Sequence, residues 1–443
     1  AAVSISSSST GLNFGTVPPG TASSVIPVVI NNLGPGQARL ISVQVSNAVF
    51  KVQSDTCPWY STQQLSLSAG SSCSLGFVFN PSVAGVYSAT FNLTFQDSYG
   101  ANYLSSMTFT GISSGSYDIV ASGESFQCAV RAGAAYCWGQ NTLGGLGNGT
   151  VVTKSVPTRV VGMDTGVTAV AAGLLHGCAI KNGGLFCWGY NPYGNLGDGT
   201  TALRLSPVAV VGMSSGVTSV AAGGYTTCAI QNGGLKCWGF NAYGQVGDGS
   251  TGTALTPVPI FGLESGVSSV SISNQTVTSR STTCAVQYGG LKCWGYNAQG
   301  QVGDGSTQNR NAPYAIPAFS AGVSAVAALS YRTCALQNST MKCWGQGAQG
   351  VLGDGSVANR MVPVVPLGMD IGVTAIGGGT DHTCAVKSGA LFCWGNNSDG
   401  QLGTGNTIGS NVPVLVYGMN ANVELVSKEG QDSSCAMKQS VLY

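Results

Sequence analysis

The residues of this sequence that carry most chemistry are its fifteen cysteines. Twelve form six pairs nine residues apart: 128 and 137, 178 and 187, 228 and 237, 284 and 293, 334 and 343, and 384 and 393. The second member of each pair is followed by Trp-Gly, and Cys57 and Cys73 lie upstream of the series. Thiols at fixed spacing either ligate a metal or oxidise to disulfides. Zinc sites are built from close Cys-x-x-Cys pairs completed by a second pair or by histidines. Nothing here has that spacing, and the only histidines are His176 and His382. The pattern predicts disulfides and no metal site.

One hairpin register explains the pairing. In Cys178-Ala-Ile-Lys-Asn-Gly-Gly-Leu-Phe-Cys187, Asn182-Gly183 is a two-residue type I′ turn signal, since both central positions need positive φ. Such a turn sets Lys181 opposite Gly184, Ile180 opposite Leu185, Ala179 opposite Phe186 and Cys178 opposite Cys187. The cysteines then meet at a non-hydrogen-bonded pair, with Cα atoms about 4.5 Å apart. The expected bonds are Cys128–Cys137, Cys178–Cys187, Cys228–Cys237, Cys284–Cys293, Cys334–Cys343 and Cys384–Cys393, with Cys57–Cys73 as a seventh. Cys435 is left without a partner in the given sequence. Disulfides persist outside the reducing cytosol.

Other chemistry finds little support. His176 and His382 stand two residues before Cys178 and Cys384, outside any Gly-x-Ser-x-Gly context, and read as polar edge or loop residues. No Walker or dinucleotide fingerprint is present. The sixteen carboxylates include no pair that suggests glycosidic chemistry. Asp198, Asp248, Asp304 and Asp354 stand singly in Gly-Asp-Gly turns, without the Asp-x-Asp-x-Asp pattern of a calcium loop, and read as backbone-binding turn residues. No catalytic residue, no cofactor-binding residue and no cofactor are assigned, and the chain is not expected to be an enzyme. Sequons occur at Asn92, Asn148, Asn274, Asn338 and Asn396.

The elements that position these residues repeat. Trp138, Trp188, Trp238, Trp294, Trp344 and Trp394 are spaced 50, 50, 56, 50 and 50 residues apart, and each has a proline nineteen residues later. A period near 50 with four short apolar runs describes a four-stranded propeller blade. In the second unit the runs are 167–172, 177–180, 185–189 and 207–212. Alternation along the third strand sets Cys187 and Leu185 on one face and Phe186 and Trp188 on the other, so the tryptophans are expected to pack between blades.

The run Trp188-Gly-Tyr-Asn-Pro-Tyr-Gly-Asn-Leu-Gly-Asp-Gly-Thr200, repeated at 238–250 and 294–306, resembles the RCC1 repeat. That resemblance spans about residues 116–443 and implies a seven-bladed β-propeller whose seventh blade, opened by Cys435, is incomplete as given. The cysteine-paired form is similar to secreted bacterial relatives, and the exchange-factor role of nuclear members is disfavoured.

Residues 1–112 lack the repeat and read as a β-sandwich of about seven strands, with runs at 24–31, 39–45, 74–79 and 87–96. Leu12-Asn-Phe-Gly-Thr-Val-Pro-Pro-Gly20 and Cys73-Ser-Leu-Gly-Phe-Val-Phe-Asn-Pro-Ser-Val-Ala-Gly85 resemble the ASH/choice-of-anchor-D group of immunoglobulin-like domains. The expected organisation is all-β: an immunoglobulin-like β-sandwich over 1–112, a linker over 113–116 and an RCC1-like β-propeller over 117–443.

Composition narrows the function. Seventeen basic residues against sixteen acidic ones give a net charge of +1, without the basic stripe of a nucleic-acid binder. Only 7% of residues are charged, so little repulsion opposes assembly or adhesion. No run is long and apolar enough for a transmembrane segment, and the start at Ala1 has the form of a mature terminus. The expectation is a secreted protein of the extracellular space or cell surface. Its role would be structural or adhesive, as in a self-assembling surface layer or filament, with copies of itself or other surface proteins as partners. The segment 1–10 would pair with a neighbour's strand edge.

The alternative is a lectin-like or inhibitor-type protein-binding propeller, taking glycans or proteins. Departures from the repeat point to where it would bind. Tyr190, Tyr193, Phe240, Tyr243 and Tyr296 follow the Trp-Gly of units two to four, where other units carry polar residues or leucine. They form a candidate binding patch or inter-blade packing. Unit four also carries six extra residues within 271–283, a loop of the kind that bears binding sites.

Overall fold

The computed structural model describes residues 3–6, 11–17, 22–57, 66–81, 85–97, 100–113, 119–274, 279–427, 436–438 and 441–442. It divides into two compact units, 1–116 and 117–443. Helix is limited, among the described residues, to the 3₁₀ turns Pro317–Phe319 and Ala348–Gly350, and no helix is long and apolar enough to cross a membrane.

The first unit is two facing sheets. One runs Val3–Ser6, Ile26–Asn32, Ser72–Phe79, Phe50–Asp55; the other runs Gly11–Val17, Asn102–Ser113, Gly85–Gln96, Ala38–Val45, Ser66–Leu67. The nine strands among the described residues exceed the expected seven, because short edge segments such as Ser66–Leu67 also pair. Inward positions at every second residue form one core. Phe77 of one sheet packs on Phe91 and Phe109 of the other, each at 4.9 Å. Cys57 and Cys73 are bonded, with Cα atoms 4.8 Å apart. Within the segment 1–10, Val3–Ser6 pairs antiparallel with Asn32–Val29 as an edge strand of its own sheet, and residues 1–2 and 7–10 lie outside the described residues. The last strand runs to Ser113, and residues 114–116 of the expected linker lie outside the described residues.

The second unit is seven sheets in chain order, spanning 119–159, 167–209, 217–259, 267–315, 323–364, 373–415 and 423–442. Among the described residues, six are four-stranded antiparallel meanders and the seventh has three strands. The first strand of each blade packs against the first strand of the next, from blade one to blade seven. Blade two consists of Val167–Ala172, His176–Lys181, Gly184–Gly189 and Arg204–Ala209. Its fourth strand starts three residues before the expected 207–212. Pro207 sits within this outermost strand, where a missing N–H is tolerated. Gly212, with φ of 70°, belongs to the turn beyond it.

The central hairpins have the register set by their turns. Cys178 faces Cys187, Ala179 Phe186, Ile180 Leu185 and Lys181 Gly184, and Asn182 and Gly183 hold φ of 50° and 77°. The six blade disulfides join residues whose Cα atoms are 4.0–4.1 Å apart, the short spacing of a non-hydrogen-bonded pair. Cys435 lies outside the described residues.

Between blades, the disulfides of blades one to five pack under the next blade's tryptophan: Cys178 and Cys187 share a core with Trp238, and Cys284 and Cys293 with Trp344. Trp188, Trp238, Trp294, Trp344 and Trp394 are fully buried, whereas Trp138 is half-buried.

Candidate binding face

In a four-stranded meander the connection between strands one and two and that between strands three and four emerge at the same end. Here they are tied together. The amide two residues beyond each Trp donates to a carbonyl of the first connection: Tyr190 to Leu175 (3.0 Å), Phe240 to Tyr225 (2.8 Å) and Tyr296 to Ser281 (3.0 Å). Blades one, five and six repeat the bond with Gln140, Gln346 and Asn396. The side chains beside these amides therefore share one end of the propeller, and in blades two to four they are aromatic.

They form a continuous ribbon. Tyr190 meets Tyr225 with ring centroids 5.9 Å apart, Tyr225 meets Tyr193 at 5.4 Å and Tyr193 meets Phe240 at 4.8 Å. Phe240 meets Tyr243 at 6.2 Å, and Tyr243 meets Tyr296 at 5.2 Å. The five aromatics expected from the repeat are thus brought together, and their rings touch across blades. Tyr193 is exposed and the others are half-buried. Inter-blade packing and surface display are here the same arrangement. Arg280 closes one end, its guanidinium 5.4 Å from the Tyr296 ring centroid and its charge held on by a hydrogen bond with Tyr243. Tyr225 was missed by the repeat reading because it stands in the first connection, three residues before Cys228. Tyr331 occupies the matching place before Cys334, so alignment of the first connections would have exposed it.

At the other end lies Glu124. Its amide donates to Leu174 O (3.1 Å), and the Leu174 amide donates to Gly224 O (3.0 Å), linking the first connections of blades one to three. Burial raises the Glu124 carboxyl above the usual carboxylate range. Burial, assisted by Tyr190, Glu124 and Tyr193, pushes the Tyr225 phenol up to about 12.

Between the blades the buried polar groups are structural. The Asn195 carbonyl accepts both the Trp238 indole (3.0 Å) and the Thr227 hydroxyl (2.8 Å) of the next blade. Gln245, Gln301 and Val351 repeat this double acceptor role. The two histidines are not edge or loop residues: both lie in second strands and are fully buried. A position directed between blades outweighs the polarity of the ring. His176 Nε2 is 3.0 Å from Thr227 Oγ1, and burial lowers its pKa to about 3. Burial, followed by the nearby Arg332 charge, lowers that of His382 to about 4. Arg332 holds the matching position in blade five. It donates to Thr383 Oγ1 (2.7 Å) and to the carbonyls of Thr380 (2.6 Å) and Gly379 (2.9 Å) in blade six.

The turn aspartates also serve the chain. Asp198, Asp304 and Asp354 accept the amides of Thr200, Ser306 and Ser356 and pair with Arg204, Arg310 and Arg360 at 2.8, 2.6 and 2.7 Å. Asn191 knits the same loop, accepting the Leu196 amide and donating to the carbonyls of Thr200 and Ala202. Among the described residues no group of three His, Cys, Asp or Glu is placed to hold a metal. In the inserted loop, the Asn274 side chain is buried and accepts the Gly224 amide at 3.1 Å. Residues 275–278 lie outside the described residues.

The sequence matches the regulator of chromosome condensation (RCC1) repeat over residues 132–180, 182–230, 232–278 and 388–436, with a second description of the same repeat matching 167–195, 217–245 and 373–401. Among solved structures, human WBSCR16 is 24% identical with a TM-score of 0.61, covering 76% of this chain and 90% of its own. The VesB protease of Vibrio cholerae is 20% identical over 25% of this chain and 31% of its own, with a TM-score of 0.21. The ASH/PapD-like domain 7 of human CEP192 is 16% identical over 25% of this chain and 84% of its own, with a TM-score of 0.20. No curated protein matches the sequence. The likeness to human WBSCR16 bears on the fold alone. Repeat matches, blade topology and disulfide-closed hairpins together make the 117–443 unit a β-propeller that carries RCC1 repeats.

Proposed function

We propose that this chain is an extracellular binding propeller, without catalytic activity, that engages its partner through the aromatic ribbon of blades two to four. The observation that carries the reading is the unbroken contact from Tyr190 to Tyr296 across three blades, with Tyr193 exposed on it. Tyrosine offers a large, rigid, amphipathic contact at low entropic cost, which is why binding surfaces are rich in it. Fixed to hairpins that disulfides lock, the rings are organised before the partner arrives, which lowers the cost of binding. The seven disulfides support an oxidising setting and hence secretion. The test is capture of secreted or surface proteins and of glycans by the whole chain. Tyr193→Ala and Tyr243→Ala are expected to weaken capture, and undiminished capture by both variants would overturn the reading.

A structural or adhesive role, as a surface-layer or filament subunit, is favoured by a different observation. Only 7% of residues are charged, and Phe261 and Tyr417 are 89% and 85% exposed. Both features lower the barrier to self-association. A protein that stays monomeric at high concentration would count against this second reading.

A further inference from the structure

We propose that Glu124, Tyr190 and Tyr225 form a seat for a cationic side chain, a lysine or arginine, presented by a protein partner. The inference rests on the ribbon's being the binding face and names the chemistry at one end of it.

Three observations converge there. The hydrogen bonds from Glu124 to Leu174 and from Leu174 to Gly224 carry the Glu124 backbone across blade two to the neighbour of Tyr225. Nothing within the described residues neutralises the Glu124 carboxylate: its one described electrostatic neighbour is Tyr225, which is not a cation. Tyr225 is flanked by Tyr190 and Tyr193, at interplanar angles of 71° and 51°. A carboxylate on a half-buried residue, whose charge acts on the Tyr225 phenol, together with aromatic rings set at an angle, is the chemistry that holds ammonium and guanidinium groups: ring faces attract the cation and the carboxylate supplies the charge.

The same geometry argues against a sugar chain as the occupant. Neighbouring rings along the ribbon meet at 51° to 72°, edge against face. They offer no coplanar platform on which a flat saccharide face could stack. The charges favour a protein as well. Glu124 at one end and Arg280 at the other frame uncharged rings, which is complementary to a peptide strip with a basic residue at the first end and an acidic one at the second.

The test uses the whole chain carrying fluorine-labelled tyrosines, with the Tyr190 and Tyr225 signals assigned by single Tyr→Phe variants. The probes are Nα-acetyl-lysine methylamide, Nα-acetyl-arginine methylamide, the neutral Nε-acetyl-lysine analogue and cellohexaose. The cationic probes are expected to shift Tyr190 and Tyr225 saturably while the neutral analogue does not. Glu124→Gln, whose thermal midpoint serves as the folding control, is expected to weaken the response about tenfold. Equal response to the neutral analogue, or an unchanged response in Glu124→Gln, overturns the seat. So does a cellohexaose shift independent of Glu124, which would assign the ribbon to glycans. The two readings fail separately. Partner capture lost in Tyr243→Ala, with probes silent at Tyr225, sinks the seat and leaves the binding face standing. Capture insensitive to Tyr193→Ala and Tyr243→Ala sinks the binding face, whatever the probes show.

Discussion

Tyr193 of the second blade and Phe240 of the third lie ring to ring, with centroids 4.8 Å apart and planes inclined by 56°. Each ring is rooted on its own disulfide-closed hairpin, so their contact joins two blades at the surface and buries part of both rings. A partner that covers this junction meets the two rings as one unit. In partner binding, Tyr193→Ala and Phe240→Ala are therefore expected to be non-additive, with a coupling of about 1 kcal/mol, within the range for residues in contact. A double-mutant cycle of affinities measures it. Strict additivity would mean that the rings act independently, or that only one is touched.

Arg332 is a buried cation that makes no direct ion pair among the described residues. Burial lowers its pKa to about 9, opposed by the Asp381 charge, so the side chain is still protonated near neutrality. Removing an unpaired buried charge would ordinarily relieve desolvation. Here the guanidinium also holds the carbonyls of Gly379 and Thr380 and the Thr383 hydroxyl of the next blade. Acceptors left unmade in a dry interior cost about 1–3 kcal/mol each, so the acceptors win. Arg332→Leu is expected to destabilise the propeller by about 3 kcal/mol, read as a lower urea midpoint. Arg332→Lys, a point charge without the fork, should recover only part of the loss.

The scaffold was legible because its signals are local. Asn182-Gly183 specifies a turn, the turn specifies the register, and the register brings Cys178 onto Cys187. The aromatic positions were legible as departures from a repeat. What escaped was set by contacts between units: Tyr225 lies in a connection the repeat pattern does not mark, and Glu124 reaches it only through a hydrogen-bond chain over Leu174. The burial of His176 escaped for the same reason. Its neighbour Thr227 is 51 residues away, and no spacing within one blade reveals it.

That burial has a pH signature. The His176 pKa is lowered to about 3 by burial, against about 6.5 for an unfolded chain. Between these values the unfolded state binds the extra proton, so the contribution of neutral His176 is complete above about pH 6.5 and is lost as pH falls toward 3. His176→Gln keeps a donor for Thr227 Oγ1 without a titrating ring. The variant is expected to lose less stability than the parent between pH 7 and pH 4, compared through urea unfolding at each pH. Parallel losses would show that other groups set the acid limb.

Among the described residues, Asp248 is the one aspartate of the four Gly-Asp-Gly turns without an ion-pair partner. Asp198, Asp304 and Asp354 each pair with an arginine six residues on, whereas that place after Asp248 is taken by Ala254. The rest of the turn is already in place: Asp248 accepts the Ser250 amide at 2.9 Å and the Ser250 hydroxyl at 3.1 Å. Ala254 begins the outer strand of blade three, as Arg204 begins that of blade two. Ala254→Arg therefore has both the backbone and the acceptor waiting. The expected gain is about 0.5–1 kcal/mol, near the upper end for exposed ion pairs, and it should shrink with added salt. Paired with Asp248→Asn the gain should vanish. A gain that survives Asp248→Asn would come from the arginine's packing along the outer strand and not from the ion pair.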